Sequence, residues 1–284
     1  MKVLITLLLF LPSLSMQTPV SQTQQSDYKL VWSDEFNTDG APNPDNWTYE
    51  KGFVRNHELQ WYNTENARCK GGKLIIEAKT DTSKNPIYDP TSSDWKKARP
   101  KIGYTSASIN TSGKHQWQYG RFEMRARFDV DPGLWPAFWT LGVNGEWPSC
   151  GEIDIMEYYR GKVLANIACG TLARYKARWF SNTKALEEFK DKDWAQKFHT
   201  WKMDWDEQAI SLYVDDQLLN SVKLSELENA SKNPVNPFKQ PHYILLNLAL
   251  GGDNGGDPKG TPFPRTFEID YVRVYQKEPN AIKQ

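Results

Sequence analysis

The chain has 284 residues, with 35 basic and 35 acidic side chains and a formal net charge of zero. This balance argues against a partner bound by electrostatic attraction, such as nucleic acid or an anionic membrane surface. Aromatic residues make up 13% of the chain and include 12 tryptophans, which suits either a sandwich core or a sugar-binding cleft. Composition therefore excludes some partners without selecting a function.

The first residues have the pattern of a secretory signal peptide. Met1 and Lys2 precede an apolar run over residues 3–11, and Ser13 and Ser15 fit a small-x-small cleavage site. The run is too short to span a bilayer, and no cysteine follows it to receive a lipid anchor. We predict a signal peptide over 1–15, a disordered leader over 16–27, and a secreted or periplasmic protein without membrane insertion.

Short alternating segments separated by Gly, Pro and Asn turns occupy most of the remaining chain. They include residues 73–78, 120–128, 200–205, 209–214 and 242–249. Regularly spaced strands with few helical periods predict an all-β sandwich of two sheets. We find no internal repeat and no linker, so we predict one domain over residues 28–278.

Smaller features of the pattern give further predictions. The first strand, near 29–32, and the last, over 267–275, are expected to pair with each other. Residues 214–218 predict a tight hairpin, and residues 183–192 a charged surface helix. The glycine-rich run 251–257 lacks the pattern of a phosphate loop and is expected to form a mobile loop at the edge of a cleft.

The three cysteines, Cys69, Cys150 and Cys169, cannot all pair within one chain, and their spacing does not suggest zinc. Cys150 and Cys169 could lie on neighbouring strands and form a disulfide. We favour buried free thiols.

The segment 151–157 places three carboxylates within six residues. In a strand, Glu152 and Asp154 share one face and two isoleucines the other, whereas Glu157 has the wrong parity. A β-bulge near Met156 would return Glu157 to the acidic face. Carboxylates on one face raise each other's pKa values, and a retaining glycosidase needs one ionised as nucleophile and another protonated as general acid.

Aromatic side chains flank this acidic strand. Trp135 and Trp139 are four residues apart and share a strand face, and Trp147 and Tyr158 lie close to the carboxylates. Aromatic rings beside acids are typical of sugar-binding sites, although a solvated edge strand and a tryptophan-rich core remain alternatives. Asn247, set among apolar residues, needs polar partners that a cleft would supply.

The segment Glu-Ile-Asp-Ile-Met-Glu beginning at Glu152 resembles the bulged active-site motif of glycoside hydrolase family 16, in its laminarinase-like branch. Further segments resemble that family in the same order along the chain: 34–36, 56–62, 120–123, 135–139 and 269–275. The resemblance implies a jelly-roll β-sandwich of two antiparallel sheets with a concave substrate cleft.

The resemblance also implies roles for individual residues. Glu152 would be the nucleophile, Glu157 the acid/base, and Asp154 the residue between them that hydrogen-bonds and tunes the nucleophile. Asn56 would contact the substrate near the point of cleavage. No cofactor is expected for catalysis.

A structural calcium on the convex side is a further implication of the resemblance. The matching ligands would be Glu35, the backbone of Gly72, and Asp270.

We therefore predict a monomeric, secreted, endo-acting retaining β-glycosidase whose partner is a polysaccharide or glycan chain, most readily β-1,3- or mixed β-1,3/1,4-glucan. Residues 164–171 and 174–179 depart from the histidine-bearing strand of many laminarinases. This departure leaves open an endo-β-galactosidase acting on poly-N-acetyllactosamine, O-glycan, keratan or agar-type galactan. A catalytically inactive lectin and a transglycosylase are further alternatives.

Overall fold

The computed structural model describes residues 27–230 and 234–278. The predicted signal peptide and residues 16–26 of the predicted leader lie outside the described residues. The strands are β1 (Tyr28–Asp34), β2 (Thr48–Tyr49), β3 (Gln60–Tyr62), β4 (Ala67–Cys69), β5 (Leu74–Thr80), β6 (Tyr104–Ser106), β7 (Ser108–Asn110), β8 (Gly120–Phe128), β9 (Leu134–Gly142), β10 (Glu152–Tyr159), β11 (Lys162–Gly170), β12 (Ala177–Ala185), β13 (His199–Trp205), β14 (Ala209–Val214), β15 (Gln217–Lys223), β16 (His242–Leu250) and β17 (Arg265–Lys277).

Helical structure is short. The described residues contain two four-residue α-helical turns, α1 (Trp95–Ala98) and α2 (Gly252–Gly255). Single 3-10 turns occur at Thr64–Asn66, Leu186–Phe189, Trp194–Gln196 and Leu224–Glu226. Within the described ranges, no helix is long and apolar enough to cross a membrane.

The strands form two sheets that pack face to face. The back sheet has the order β15-β14-β13-β8-β17-β5-β6-β3, with β1 beside β17 and β4 beside β5. The cleft sheet has the order β12-β11-β10-β9-β16-β7-β2. All named strand pairs are antiparallel except β3 with β6. The predicted all-β jelly-roll sandwich is confirmed.

The core lies between the sheets and follows from the alternation in each strand. In β8 every second side chain is buried, and its inward residues include Phe122 and Met124. The cleft sheet is different, because β9, β11 and β16 are buried on both faces over most of their length. One of these faces meets the core, and the other lies beneath side chains and loops that cover the outer surface of the sheet.

Several local predictions can be compared with the structure. β1 pairs with β17, with Tyr28 opposite Lys277, and the β14–β15 hairpin turns at Asp215 and Asp216, as predicted. The three cysteines are free and buried, as we favoured. The helix predicted over 183–192 is wrong: β12 continues through Ala185, and only Leu186–Phe189 forms a 3-10 turn. Pairing with β11 satisfies the backbone of residues 183–185 and prevails there over the helical composition.

Candidate active site

Strand β10 carries the bulge that the sequence predicts. Its pairing shifts register between Asp154 and Met156 against β9, and between Asp154 and Glu157 against β11. Ile155 and Met156 are consequently both buried in the core, and Glu157 points to the same side as Glu152. The bulge thus brings two glutamates of opposite sequence parity to one face.

A cavity of about 820 Å³ lies on the outer face of the cleft sheet. This volume is in the range of sites that enclose a ligand of several rings. Its walls come from the cleft sheet and four loops, and comprise Arg55, Asn56, Glu58, Trp135, Ala137, Trp139, Leu141, Trp147, Glu152, Glu157, Tyr159, Leu164, Asn166, Tyr175, Trp179, Ser181, Thr183, Asn247, Asp253 and Asn254.

The two glutamates have different hydrogen-bond partners. The indole N–H of Trp147 donates to Glu152 Oε2. Glu157 accepts from Trp135 Nε1 at 2.8 Å and from Asn166 Nδ2 at 3.0 Å, one bond on each carboxylate oxygen. The acid/base candidate is therefore held from both neighbouring strands, β9 and β11.

Asp154 lies between them, buried and in hydrogen-bonding contact with both Glu152 and Glu157. Its Oδ2 accepts no hydrogen bond from any N–H or O–H group of the described residues. A buried carboxyl oxygen that faces carboxylates and has no donor of its own is satisfied when it carries the proton itself. In its protonated form, Asp154 is placed to donate a hydrogen bond to a neighbouring glutamate.

The pKa values of the three carboxyl groups agree with these contacts. Burial raises the pKa of all three carboxyl groups. For Glu157, burial and the charge of Glu152 raise the pKa to about 7 against the opposing hydrogen bonds. Burial and both glutamates raise the pKa of Asp154 well above its usual range, and its hydrogen bond opposes the rise in the pKa of Glu152. Hydrogen bonds from Trp147 and Asp154 and the charge of Arg55 favour the ionised form of Glu152. The neighbouring carboxylates favour the protonated forms of Asp154 and Glu157.

Arg55 is a cleft residue that the sequence analysis missed. It is ion-paired with Glu50, and its guanidinium lies 5.1 Å from the ring centroid of Trp139. Its positive charge lowers the pKa of Glu152 and opposes the effect of burial. The available signal was its position directly before the family-like segment 56–62.

Asn56 lies on the cavity wall, as predicted, and donates from Nδ2 to Glu58 Oε1 at 3.2 Å. Glu58 also accepts from Gln60 Nε2 at 2.7 Å and from the Tyr62 hydroxyl at 3.3 Å. Burial raises the pKa of Glu58. This second acidic site borders the cavity from the β2–β3 connection.

Trp135 and Trp139 share the cleft face, as predicted, but they are poor stacking surfaces. They are only 6% and 7% exposed, and Arg55 lies over the Trp139 ring. Their indole N–H groups instead hold Glu157 and Asn247, the latter at 2.7 Å. Asn247 therefore has the polar partner it needs, at the cavity wall.

The prediction that Tyr158 binds substrate is wrong. Tyr158 is buried in the core, 5.3 Å from Phe128 between ring centroids, and its hydroxyl donates to the Val130 carbonyl at 2.8 Å. The bulge that turns Glu157 into the cleft turns the next residue inward. Tyr159 occupies the cleft position instead.

The exposed aromatic faces of the cavity belong to Trp147, Tyr175 and Trp179, which are 38%, 51% and 45% exposed. Trp147 was predicted as a site residue. The other two lie in segment 174–179, whose departure from the laminarinase pattern leaves the substrate class open, and the sequence analysis named neither as a stacking residue.

The glycine run is a defined structure at the cavity rim rather than an irregular loop. It contains α2, and Asp253 N donates to the Asn56 carbonyl at 2.9 Å. Asp253 and Asn254 line the cavity, so the predicted position at the cleft edge is confirmed.

The predicted calcium ligands lie on the back sheet. Arg273 forks the Glu35 carboxylate at 2.9 and 2.8 Å, and Arg125 contacts Asp270 at 2.6 Å. The described residues contain no group of three or more His, Cys, Asp or Glu side chains suited to a metal. Both carboxylates of the predicted set are engaged by arginines, and calcium at Glu35, Gly72 and Asp270 stays a prediction.

Comparison with known proteins agrees with this architecture. Residues 54–273 match glycosyl hydrolases family 16. A beta-glucanase from Rhodothermus marinus is 35% identical, over 88% of this chain and 85% of that protein. A glucan endo-1,3-beta-glucosidase A1 from Niallia circulans is 33% identical over 88% of this chain, which spans only 38% of that longer protein.

Two solved structures extend the comparison. The catalytic domain of an endo-1,3-beta-glucanase (laminarinase) from Thermotoga petrophila has a TM-score of 0.74 and 34% identity, over 89% of this chain and 99% of that one. A structure described with endo-acting O-glycanases of human gut microbiota that initiate mucin breakdown has a TM-score of 0.80 and 34% identity, over 91% and 94% of the two chains. The chain thus belongs to glycosyl hydrolase family 16 and is a glycosidase, an enzyme that hydrolyses glycosidic bonds.

Proposed function

We propose that this protein is a secreted, endo-acting β-glycosidase that cleaves its substrate with retention of configuration. The observation that carries the proposal is the carboxyl triad of β10, with Asp154 in contact with both glutamates. One short side chain that reaches both carboxyl groups favours the separation of about 5 Å used by retaining enzymes over the wider gap of inverting ones.

In the first step, Glu152 attacks the anomeric carbon and forms a glycosyl ester. The bond from that carbon to the leaving oxygen breaks, and Glu157 transfers its proton to this oxygen. Asp154 donates a hydrogen bond toward Glu152 and supports its negative charge in the free enzyme.

In the second step, the now ionised Glu157 removes a proton from water. The hydroxide oxygen bonds to the anomeric carbon from the face opposite Glu152, and the ester bond breaks. Glu152 regains its charge and Glu157 its proton, so both groups return to their starting states.

Endo cleavage is supported by the extent of the cleft. The cavity reaches from Asn247 on β16 to Trp179 and Thr183 on β12, and these two strands are four neighbours apart in the cleft sheet. Four inter-strand spacings amount to roughly 19 Å. This is room for a segment of a chain rather than for a single ring.

Two substrate classes have support. β-1,3- and mixed-linkage glucan is supported by the glucanase relatives and by the laminarinase structure. A galactose-containing glycan such as mucin O-glycan or keratan has a specific observation in its favour. The O-glycanase structure has the higher TM-score of the two solved structures compared, and a keratan-sulfate endo-1,4-beta-galactosidase from Sphingobacterium multivorum is 27% identical over 88% of this chain.

The test is a product screen of the purified protein against laminarin, lichenan, agarose, porphyran, keratan sulfate and mucin O-glycans, with Glu152→Gln as the matched inactive control. We expect internal fragments from one class, with the β-anomer formed first by NMR. An α-anomer as first product would contradict retention. Free monosaccharide from the earliest times would contradict endo cleavage.

Secretion is the part of the proposal supported by sequence alone, namely the apolar run at 3–11 and the following small residues. Expression of the full chain and N-terminal sequencing of the exported protein would test it. We expect a mature N-terminus near Met16.

A further inference from the structure

One end of the cavity carries aromatic faces that the catalytic steps do not use. Trp147, Tyr175 and Trp179, which we call the aromatic wall, all line the cavity. Trp179 and Tyr175 are about half exposed, whereas Trp135 and Trp139 are almost fully buried. An exposed aromatic group inside a cleft favours an apolar partner surface.

Sheet register locates this wall relative to the reacting groups. Glu152 on β10 pairs with Ala168 on β11, and Ala168 pairs with Trp179 on β12. The three residues therefore lie in one row across the sheet. Trp179 is two inter-strand spacings, roughly 10 Å, from the nucleophile, so it lies beyond the ring that Glu152 attacks.

The side of β12 that bears Trp179 continues the cleft. Ser181 and Thr183 follow at two-residue steps, share its face and line the same cavity. An aromatic ring followed by hydroxyl groups matches a sugar chain, whose C–H faces stack on aromatic rings and whose hydroxyls form hydrogen bonds. Charged side chains are absent from this row of three.

Polar contacts with Glu146 hold Tyr175 in the aromatic wall. Arg174 forks the Glu146 carboxylate at 2.9 and 2.8 Å, and the Tyr175 hydroxyl donates to the same carboxylate. Glu146 directly precedes Trp147, so these contacts connect the β9–β10 loop to the β11–β12 loop. A bidentate pair reinforced by a third group is the kind of exposed ion pair that fixes geometry.

We infer that Trp179, together with Tyr175, forms a distal sugar-stacking subsite at the β12 edge of the cleft, which binds a ring of the substrate chain beyond the one attacked. The inference rests on the proposed function. It names the residues that make the activity depend on the length of the substrate chain. The occupant is a pyranose ring of the same glycan chain.

The experiment measures kcat/KM for Trp179→Ala on a series of oligosaccharides of increasing length, taken from laminarin or from mucin O-glycans according to the product screen. In the wild type we expect kcat/KM to rise with length. In Trp179→Ala the rise should be reduced on the order of 5- to 10-fold for the longest substrates, with a smaller loss for the shortest. Trp179→Phe should retain most of the rise, because it keeps an aromatic face.

Tyr88→Ala is the matched control, because Tyr88 is also 45% exposed and is not part of the cavity wall. It should leave the length dependence unchanged. Equal losses on short and long substrates in Trp179→Ala would overturn the inference, since they would indicate a general structural effect. No loss on long substrates would also overturn it.

Binding provides a second measurement that does not depend on turnover. In a Glu152→Gln background, calorimetry should show an affinity gain from the longer oligosaccharides that disappears when Trp179→Ala is added. A persistent gain would contradict the subsite. Failure of the proposed function would look different, because Glu152→Gln would then retain activity whatever residue stands at 179.

Discussion

Both sheets carry carboxylates on their outer faces, but the two faces neutralise them differently. On the back sheet, Glu268 contacts Lys73 and Arg127, each at 2.9 Å, and Glu35 is forked by Arg273. These cations hold the pKa values of Glu268 and Glu35 below the usual range, although burial opposes them.

On the cleft sheet, the triad of β10 has indole and amide donors and a single more distant cation, Arg55. Burial therefore prevails, and all three pKa values rise. Carboxylates thus form surface ion pairs with lowered pKa values on one sheet, and have raised pKa values on the other. The difference lies in whether a basic side chain contacts the carboxylate directly.

The largest expected effect comes from Glu152→Gln. It removes the nucleophile's charge with little change in shape, so we expect a loss of activity of roughly 10³-fold or more. Circular dichroism should remain that of the wild type. Glu268→Gln on the back sheet is the matched control and should retain activity. More than a few per cent residual activity in Glu152→Gln would contradict its assignment as nucleophile.

Glu157→Ala should follow, with a loss on the order of 10²- to 10⁴-fold, because both the leaving-group proton and the base for water are removed. On an activated aryl glycoside, added azide should partly restore turnover and give a β-glycosyl azide. Product NMR checks the configuration, and an α-azide would indicate inversion. Rescue by azide should be absent in Glu152→Gln.

The pH dependence of activity should have a descending limb near the pKa of Glu157, about 7, since the general acid must be protonated. The rate should fall about tenfold for each pH unit above this limb. A kcat/KM profile from pH 4 to 10 measures it. If activity remained level to pH 9, Glu157 would not be the general acid.

Stability should respond to pH in opposite directions on the two faces. Because the pKa of Glu157 is raised in the folded state, this residue contributes to the free energy of unfolding. The contribution is fully present below the pKa of the unfolded chain, about 4.3, and is lost as pH rises through about 7. The pKa of Glu268 is lowered in the folded state, so its contribution to the free energy of unfolding is present above the pKa of the unfolded chain and is lost as pH falls. At pH 8 we expect Glu157→Gln to raise Tm and Glu268→Gln to lower it, and both differences should shrink toward pH 4. Calorimetric scans at the two pH values would test this.

The smallest effect is expected from Trp147→Phe. It removes the N–H that donates to Glu152 and leaves an aromatic ring in place. The pKa of Glu152 should rise, so the ascending limb of the pH profile should move upward, by less than one unit, while the descending limb stays. If both limbs moved together, Trp147 would act on the site as a whole rather than on Glu152.

The sequence predicts the acidic strand well because the face of each residue in a strand follows from its position relative to its near neighbours. Alternation within β10 placed Glu152 and Asp154, and the parity of Glu157 required the bulge that the structure contains. The same reasoning failed one residue later. Tyr158 was assigned to the cleft because of its proximity in sequence, although the bulge itself dictates that it turns inward.

The exposure of the aromatic side chains cannot be predicted from their spacing in the sequence. Trp135 and Trp139 have the expected face, but neighbours distant in sequence cover them: Arg55 over one ring, and Tyr159 edge-on to the other. The exposure of Trp179 depends on β12 being the edge strand of its sheet. Sheet order arises from long-range pairing, which a local pattern does not contain.

The pairing of β1 with β17 has a practical consequence for handling the enzyme. Tyr28 and Lys277 lie side by side on the back sheet, whereas the cavity opens on the other sheet. A surface tether or a fusion partner attached near either residue would leave the molecule from the face opposite the cleft. Immobilised in this orientation, the enzyme would present its cleft to the solution.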